Sequence, residues 1–234
     1  MKDFRAIVCV PSNGGWESDM AQSLAGMMAH FTRQIPGYAP QQMQLLSKKG
    51  SILPQLRQRA INAAQQAKAT HLLFIDSDMT FPADTMHRLV AADRPIVAAN
   101  CATKMLPSSP TARLKNDHKT AGDLVYSHDK RGLQRVWRVG TGIMLIRMSA
   151  IAHIPAPHFG ITWVDELQDH QGEDWFFCAL MEKHGIPIMV DHDLSRNIGH
   201  VGRYTYTHDD IATAVAMKEF NLPEVDEAQL QLAI

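Results

Sequence analysis

The sequence predicts one α/β domain over residues 1–234, in which helices flank a mostly parallel central sheet. Short apolar runs end at turn residues, as residues 72–75 do, and such runs are typical of buried strands. Segments with helical spacing of apolar residues alternate with these runs. The 234 residues are 45% hydrophobic, which is enough for one large core. We expect only a tail from about residue 221 to be loosely attached.

The composition excludes several classes of protein. No apolar run reaches the roughly 18 residues that a membrane span needs, so we expect no integral membrane segment. The first residues lack a signal-peptide pattern. Three widely spaced cysteines, an odd number, argue against a disulfide framework or a cysteine-based zinc site and favour a cytoplasmic location. The net charge of -1 gives no overall basic field for nucleic acid, although a local basic groove is compatible with it.

The first half of the chain alternates predicted strands and helices. A strand over residues 6–10 ends in the glycine-rich turn 11–15, where phosphates or a base can approach the backbone. This turn lacks the spacing of a P-loop, so it is a weak signal alone. Ser51 is expected to cap a helix with Pro54 in its first turn. The elements expected after the turn are a helix, a strand and a helix, at residues 16–32, 41–46 and 51–69.

Two aspartates one residue apart, Asp76 and Asp78, follow the apolar run 72–75. Open α/β sheets bind ligands at strand ends, and alternate side chains of a strand point the same way. If the strand continues through both aspartates, the carboxylates repel each other unless a cation or a basic group lies between them. Divalent cations prefer such oxygen ligands and can bridge them to substrate phosphates. A solvated Asp-Ser-Asp turn explains the same residues, so the pair alone does not decide between a metal site and a turn.

The second half of the chain contains a polar, irregular segment between regular elements. Residues 111–138 alternate only weakly, and we expect them to form a β-ribbon or a mobile loop over the strand ends. Gly140 and Gly142 precede an apolar run, where glycines allow close approach of either a ligand or another strand. The regular elements expected here are helices at residues 83–92, 172–184 and 211–220, and strands at residues 96–99, 143–146 and 186–190.

Two acidic residues, Glu173 and Asp174, begin the helix predicted from residue 172. The helix dipole favours acidic residues in a first turn, and this effect alone accounts for the pair. Helix starts also place side chains at the ends of strands. The two acids are therefore also candidates for a catalytic cleft.

Four segments in this order resemble a family-2-type glycosyltransferase of the GT-A fold, of the compact bacterial and phage type. They are LLFIDSD at residues 72–78, VGTGIMLI at 139–146, GEDWFFC at 172–178 and NIGH at 197–200. Each segment is short, but together they extend the resemblance over about residues 6–206. The resemblance implies an enzyme that transfers a sugar from a nucleotide-sugar donor to an acceptor hydroxyl, usually with Mn²⁺ or Mg²⁺.

The resemblance also implies roles for individual residues. Asp76 and Asp78 would hold the metal and, through it, the donor diphosphate, and His200 would complete the metal site. Without this context His200 is a surface or core histidine. Asp174 would be the general base of an inverting reaction, with Glu173 as its neighbour, because a carboxylate tuned by burial can take a proton from the acceptor hydroxyl.

Donor binding is implied for residues at the strand ends. The basic residue of the donor site matches Arg59, which is equally well explained as a solvated helix arginine. The residues expected to contact the donor are Pro11, Ser12, Arg59, Asp76, Ser77, Asp78 and Gly142.

The chain departs from the family pattern after its second strand, where the acid that reads uridine is replaced by Lys48 and Lys49. A UDP-sugar is the favoured donor, but this departure leaves the base open. The acceptor is a glycan, a lipid-linked saccharide or a modified nucleic-acid base. Two alternatives share the chemistry or the fold: a nucleotidyltransferase, and a non-catalytic module that binds nucleotide sugars. The first normally has a basic residue in the first glycine-rich loop, and residues 11–16 have none.

Overall fold

The computed structural model describes residues 3–31, 42–202 and 205–211 of the chain. The strands in these residues are β1 (Arg5–Ser12), β2 (Gln42–Lys49), β3 (His71–Ile75), β4 (Met79–Thr80), β5 (Ile96–Ala98), β6 (Arg113–Asn116), β7 (Lys119–Leu124), β8 (Leu133–Val136), β9 (Ile143–Arg147), β10 (Thr162–Val164), β11 (Asp169–Gln171), β12 (Ile188–Asp191), β13 (Gly199–Val201) and β14 (Thr205–Tyr206). The helices are α1 (Ser18–Phe31), α2 (Leu53–Gln66), α3 (Thr85–Ala91), α4 (Met148–Ile151), α5 (Glu173–Lys183) and α6 (His192–Ser195).

The central sheet contains seven of the described strands, in the order β2-β1-β3-β9-β5-β12-β8. β1 is parallel to β2 and β3, and β5 is parallel to β12. β9 lies between β3 and β5 and is antiparallel to both, and β8 is antiparallel to β12 at the edge. The sheet is therefore mainly parallel, as predicted, and β1, β3 and β5 end at the same edge.

The sheet separates two apolar layers because successive side chains of a strand face opposite sides. On β3, Leu73 and Ile75 face a layer that includes the buried side of α1 and α3, whereas Leu72 and Phe74 face a layer that includes α2 and α5. β3 is buried along its whole length. Burial on both faces explains its uninterrupted apolar sequence.

α2 illustrates how the sequence specifies a helix in this fold. Pro54 lies in its first turn, as predicted, where the missing N–H costs least. Its buried residues Leu56, Ala60, Ile61 and Ala64 recur at helical spacing, and the last three pack in the apolar layer on the sheet. The expected cap is wrong, since the residue at the N-cap is Ile52 and no side chain caps the helix.

The irregular segment 111–138 forms strands, which favours the predicted ribbon over the loop. β6 and β7 pair with each other, and β8 joins the edge of the central sheet. No sequence pattern indicated the β10–β11 hairpin, which leads directly into α5. The helix predicted at 211–220 and the tail from 221 lie outside the described residues, except for residue 211. Among the residues described, no helix combines the length and the apolar character that a membrane crossing needs.

Candidate active site

Asp76 and Asp78 lie in a tight turn at the carboxyl end of β3. The backbone N–H of Asp76 donates to the carbonyl of Gly142, 2.9 Å away, and the N–H of Met79 donates to the carbonyl of Asp76 at 3.3 Å. The strand ends at Ile75 rather than continuing through the aspartates. The two carboxylates are therefore not alternate side chains of one strand that point the same way. Each aspartate pairs with a basic group of its own.

Asp76 pairs with Arg57, a buried arginine of α2. Arg57 Nη2 lies 2.8 Å from Asp76 Oδ1, and Arg57 Nε lies 3.3 Å from Glu173 Oε1. The guanidinium also donates to the carbonyl of Thr141 at 3.5 Å and packs on the ring of Phe74, whose centroid is 5.4 Å away. Only 2% of this side chain is exposed. One guanidinium thus joins the acid at the end of β3 to an acid at the start of α5.

The family resemblance matches the basic residue of the site to Arg59, which is exposed on α2. Arg57 was missed, although the sequence contains a signal for it. Arg57 lies three, four and seven residues before Ala60, Ile61 and Ala64, so it shares their buried helical face. A charged side chain on such a face needs charged partners. Its carboxylate partners mark the site.

Asp78 faces His200, a residue of β13, which lies beside the aspartate turn. His200 Nε2 lies 3.4 Å from Asp78 Oδ1, and His200 Nδ1 lies 2.9 Å from the carbonyl oxygen of Ala102. The carbonyl can only accept, so Nδ1 carries a proton, and Nε2 has a free lone pair whenever the imidazole is neutral. Asp78 Oδ1 is buried and has no hydrogen-bond donor among the described residues. These two lone-pair atoms fit one divalent cation between them.

Asp78 also contacts Lys104, a residue that no motif indicated. The Lys104 ammonium donates to Asp78 Oδ2. Burial opposes the ionisation of Asp78, but the protonated form of His200 and the Lys104 ammonium outweigh it, so the pKa of Asp78 lies below its usual value. Asp78 is therefore ionised at neutral pH, as a metal ligand must be.

The three predicted metal ligands are not all brought together. Asp78 and His200 face each other, whereas Asp76 turns to Arg57. In the parts of the chain that the structure describes, no group of three His, Cys, Asp or Glu side chains forms a ready metal site. The donor set that fits a cation consists of Asp78 and His200.

Glu173 and Asp174 occupy the first turn of α5 and differ in their surroundings. Glu173 pairs with Arg57, whereas the polar contact of Asp174 is a hydrogen bond from the N–H of Trp175 to its Oδ1, at 2.8 Å. Burial, reinforced by the neighbouring Glu173, raises the pKa of Asp174 from 3.8 to about 6, and Arg57 limits the increase. Asp174 is thus a carboxylate that is ionised at neutral pH but more basic than usual.

The remaining predicted donor residues lie along the same edge. Pro11 and Ser12 end β1, which pairs with β3 up to Cys9 and Phe74. Ser77 lies in the aspartate turn, and its carbonyl accepts from the N–H of Glu17 at 2.9 Å. At Gly142 a Cβ would lie 3.6 Å from Asp76 Oδ2 and 3.4 Å from Met79 Sδ, so another strand and the aspartate turn both approach this glycine.

Comparisons with known proteins bear on the fold. No protein-family profile and no curated protein sequence matches the chain. The structure of S. aureus TarS 1–349 in complex with UDP-GlcNAc aligns with 98% of this chain and 69% of its own, at a TM-score of 0.49 and 12% identity. A complex of a Drosophila β1,4-galactosyltransferase 7 mutant with manganese, UDP-Gal and xylobiose aligns with 97% of this chain and 79% of its own, at 0.48 and 13%.

The structure of A197 from STIV aligns with 88% of this chain and 92% of its own, at a TM-score of 0.59 and 15% identity. The fold is GT-A-like. This confirms the predicted fold class, including the mainly parallel sheet between helical layers. An identity of 15% shows the fold alone, so the chemistry rests on the residues of the site.

Proposed function

We propose that this protein is a glycosyltransferase that moves a sugar from a nucleotide-sugar donor to an acceptor hydroxyl, with inversion at the anomeric carbon. The observation that carries the proposal is the Arg57 bridge between Asp76 and Glu173. It fixes the end of β3 and the start of α5 side by side. A place for the donor phosphates and a candidate base thus lie at one edge of the sheet, where α/β proteins bind ligands.

Asp174 is the proposed general base. Its pKa of about 6 leaves it ionised at neutral pH and keeps it basic enough to accept a proton. The acceptor hydroxyl transfers its proton to Asp174 as its oxygen bonds to the anomeric carbon. The bond from that carbon to the diphosphate breaks, and the diphosphate leaves with the bonding electrons. Glu173 is less suited to this role because Arg57 holds its carboxylate.

Asp78 and His200 would hold a divalent cation, Mn²⁺ or Mg²⁺. Such a cation offsets the negative charge that grows on a leaving diphosphate. Asp76 stays with Arg57 in this proposal and orders the turn. The metal set therefore differs from the expected set of Asp76, Asp78 and His200.

The proposed donor contacts are Pro11, Ser12, Ser77 and Gly142 along the strand ends, with Arg59 at the exposed margin. A UDP-sugar remains the first donor to test. Lys48 lies close enough to the buried Cys9 to lower the pKa of its thiol, although burial dominates and raises that pKa to about 12. A basic side chain therefore reaches this end of the sheet, where the family pattern has an acid.

A screen of nucleotide sugars tests this function directly. The protein is incubated with UDP-, GDP- and dTDP-sugars, with Mn²⁺ or with EDTA, and nucleoside diphosphate release is measured. We expect slow metal-dependent hydrolysis of one donor class. Binding of a donor without turnover would instead support the non-catalytic module. Release of pyrophosphate from a nucleoside triphosphate and a sugar phosphate would support the nucleotidyltransferase.

A further inference from the structure

The two aspartates of the turn are paired with cations that differ in how firmly they are held. Arg57 is 2% exposed, has acceptors on Asp76, Glu173 and Thr141, and packs on Phe74, so it cannot leave. Lys104 is 35% exposed, and its ammonium has Asp78 as its hydrogen-bond partner in the described residues. One pair is fixed, and the other can be released.

The backbone around Lys104 is anchored, so its side chain is the part that can move. The N–H of Thr103 donates to the carbonyl of Ser109 at 2.9 Å, and the hydroxyl of Ser108 donates to the carbonyl of Thr103 at 2.8 Å. One residue earlier, the carbonyl of Ala102 holds His200 Nδ1. The segment therefore fixes His200 beside Asp78 and places a long, flexible ammonium chain at the same carboxylate.

Lys104 and a divalent cation would compete for Asp78. The ammonium occupies Oδ2, while the fit for a cation is at Oδ1 and His200 Nε2, on the same carboxylate. Two positive charges this close repel each other strongly when they are partly shielded from water. A divalent cation that binds here displaces the ammonium from Asp78 by charge repulsion. A diphosphate at the strand ends would then be a new anionic partner for the ammonium.

We propose that Lys104 is an exchangeable counter-ion, which neutralises Asp78 in the donor-free protein and transfers to the donor diphosphate when a divalent cation takes Asp78. This inference rests on the proposed function for the nature of the donor. It makes the binding of metal and of donor cooperative. When metal binds alone, the displaced ammonium has no other anionic partner. When metal binds together with a diphosphate, the ammonium can pair with the diphosphate.

Calorimetry with MnCl₂ alone tests the first half of the exchange. Lys104→Met keeps the length of the side chain without its charge, and we expect it to bind Mn²⁺ about fivefold or more tightly than the parent. Lys104→Arg should bind like the parent. Lys115→Met, which removes an exposed lysine paired with Glu182, is the matched control and should change nothing. An unchanged or weaker affinity in Lys104→Met overturns the inference, including when neither protein binds Mn²⁺.

Titration with UDP, GDP and ADP at saturating Mn²⁺ tests the second half. We expect Lys104→Met to bind the preferred nucleotide about fivefold or more weakly than the parent, so that the coupling between metal and nucleotide falls. An unchanged nucleotide affinity, or no nucleotide binding in the parent, overturns the transfer to the diphosphate. The donor-hydrolysis screen reports separately on the proposed function. The exchange can thus be present in a protein without turnover, and turnover can be present without the exchange.

Discussion

Asp174 is ionised at neutral pH although its surroundings favour the protonated form. Burial and the charge of Glu173 both favour the protonated form, which raises the pKa of Asp174 to about 6. An acid whose pKa is raised on folding binds its proton more tightly in the folded protein. At neutral pH its ionisation therefore reduces the free energy of unfolding, and this cost disappears as the pH falls towards its ordinary pKa of 3.8.

Asp174→Asn should therefore stabilise the protein. The change from 3.8 to about 6 corresponds to a cost of at most about 3 kcal/mol at neutral pH. Because the side chain is only partly buried, we expect a gain of about 1–3 kcal/mol at pH 7.5. The gain should shrink below pH 6 and vanish near pH 4. Urea denaturation at several pH values measures it, and a loss of stability at pH 7.5 would show a helix-dipole role instead.

The same substitution should greatly lower turnover. If Asp174 is the base, Asp174→Asn should leave donor affinity unchanged and lower kcat about a hundredfold or more, because the proton moves only in the transition state. In the parent, kcat should fall about tenfold for each pH unit below about 6 as Asp174 becomes protonated. Glu173→Gln is the comparison. An active Asp174→Asn beside an inactive Glu173→Gln would assign the base to the other acid.

Some residues of the site are marked by a sequence pattern close to them in the chain, and others are not. Asp76 and Asp78 could be predicted because an apolar run of a few residues ends at them. Their partners are distant in sequence, since Arg57 is 19 residues before Asp76 and Lys104 is 26 after Asp78. Arg57 was still detectable from its buried helical face. For Lys104 no comparable pattern exists, because its role depends on where the loop 103–109 folds back.

At the scale of elements, the small sheet β14-β13-β4 sets the position of His200. Gly199 pairs with Thr80, and His200 pairs with Met79, one residue beyond Asp78. The N–H of Val201 also donates to the carbonyl of Asp78 at 2.7 Å. The backbone of β13 therefore fixes the imidazole relative to the aspartate turn.

Gly199 is where this sheet is most sensitive to substitution. A Cβ at Gly199 would lie 2.4 Å from Thr80 Oγ1 and 2.5 Å from Thr205 Cγ2, so Gly199→Ala forces β13 away from its neighbours. We expect a loss of about 1–3 kcal/mol in the free energy of unfolding and weaker Mn²⁺ binding by calorimetry. Gly15→Ala is the matched control, because its Cβ would have no neighbour within 4 Å. Equal Mn²⁺ affinity in both variants would remove His200 from the metal site.

The elements could be predicted where a single period dominates the sequence. Each strand predicted along the central sheet lies within a few residues of an observed one. Burial on both faces produces the apolar runs of β1, β3, β5 and β9, whereas the edge strand β2 is largely exposed. β4, β13 and β14 were not predicted, since two or three residues show no period. The direction of β9 is set by its neighbours β3 and β5, which are far away in sequence. A local pattern does not contain this information.

At the scale of the whole molecule, Arg57 connects parts of the fold that the chain separates widely. Its partner Glu173 is 116 residues away, and its contacts join α2, the end of β3, the segment before β9 and the start of α5. Carboxylates on two sides raise the pKa of Arg57 above its usual value, although burial acts in the opposite direction. A buried charge of this kind stabilises the fold only while its partners are present.

Arg57→Met should therefore destabilise the whole protein. It leaves Asp76 and Glu173 partly buried without a counter-charge, and we expect the free energy of unfolding to fall by about 3–5 kcal/mol. Arg57→Lys keeps the charge but loses the forked geometry, so its loss should be smaller. Urea denaturation of the two variants measures the difference. Equal losses would mean that the forked hydrogen bonds and the stacking on Phe74, which both variants lose, contribute the stability rather than the charge.

The triple variant Arg57→Met, Asp76→Asn, Glu173→Gln separates the network from its individual charges. Without any of the three charges, no carboxylate of the network is left uncompensated, so most of the stability lost in Arg57→Met should return. Activity should not return with it, because nothing then fixes the start of α5 against the aspartate turn. A triple variant as unstable as Arg57→Met would show that the charges are not coupled. Recovery of both stability and kcat would show that Asp174 needs no support from the bridge.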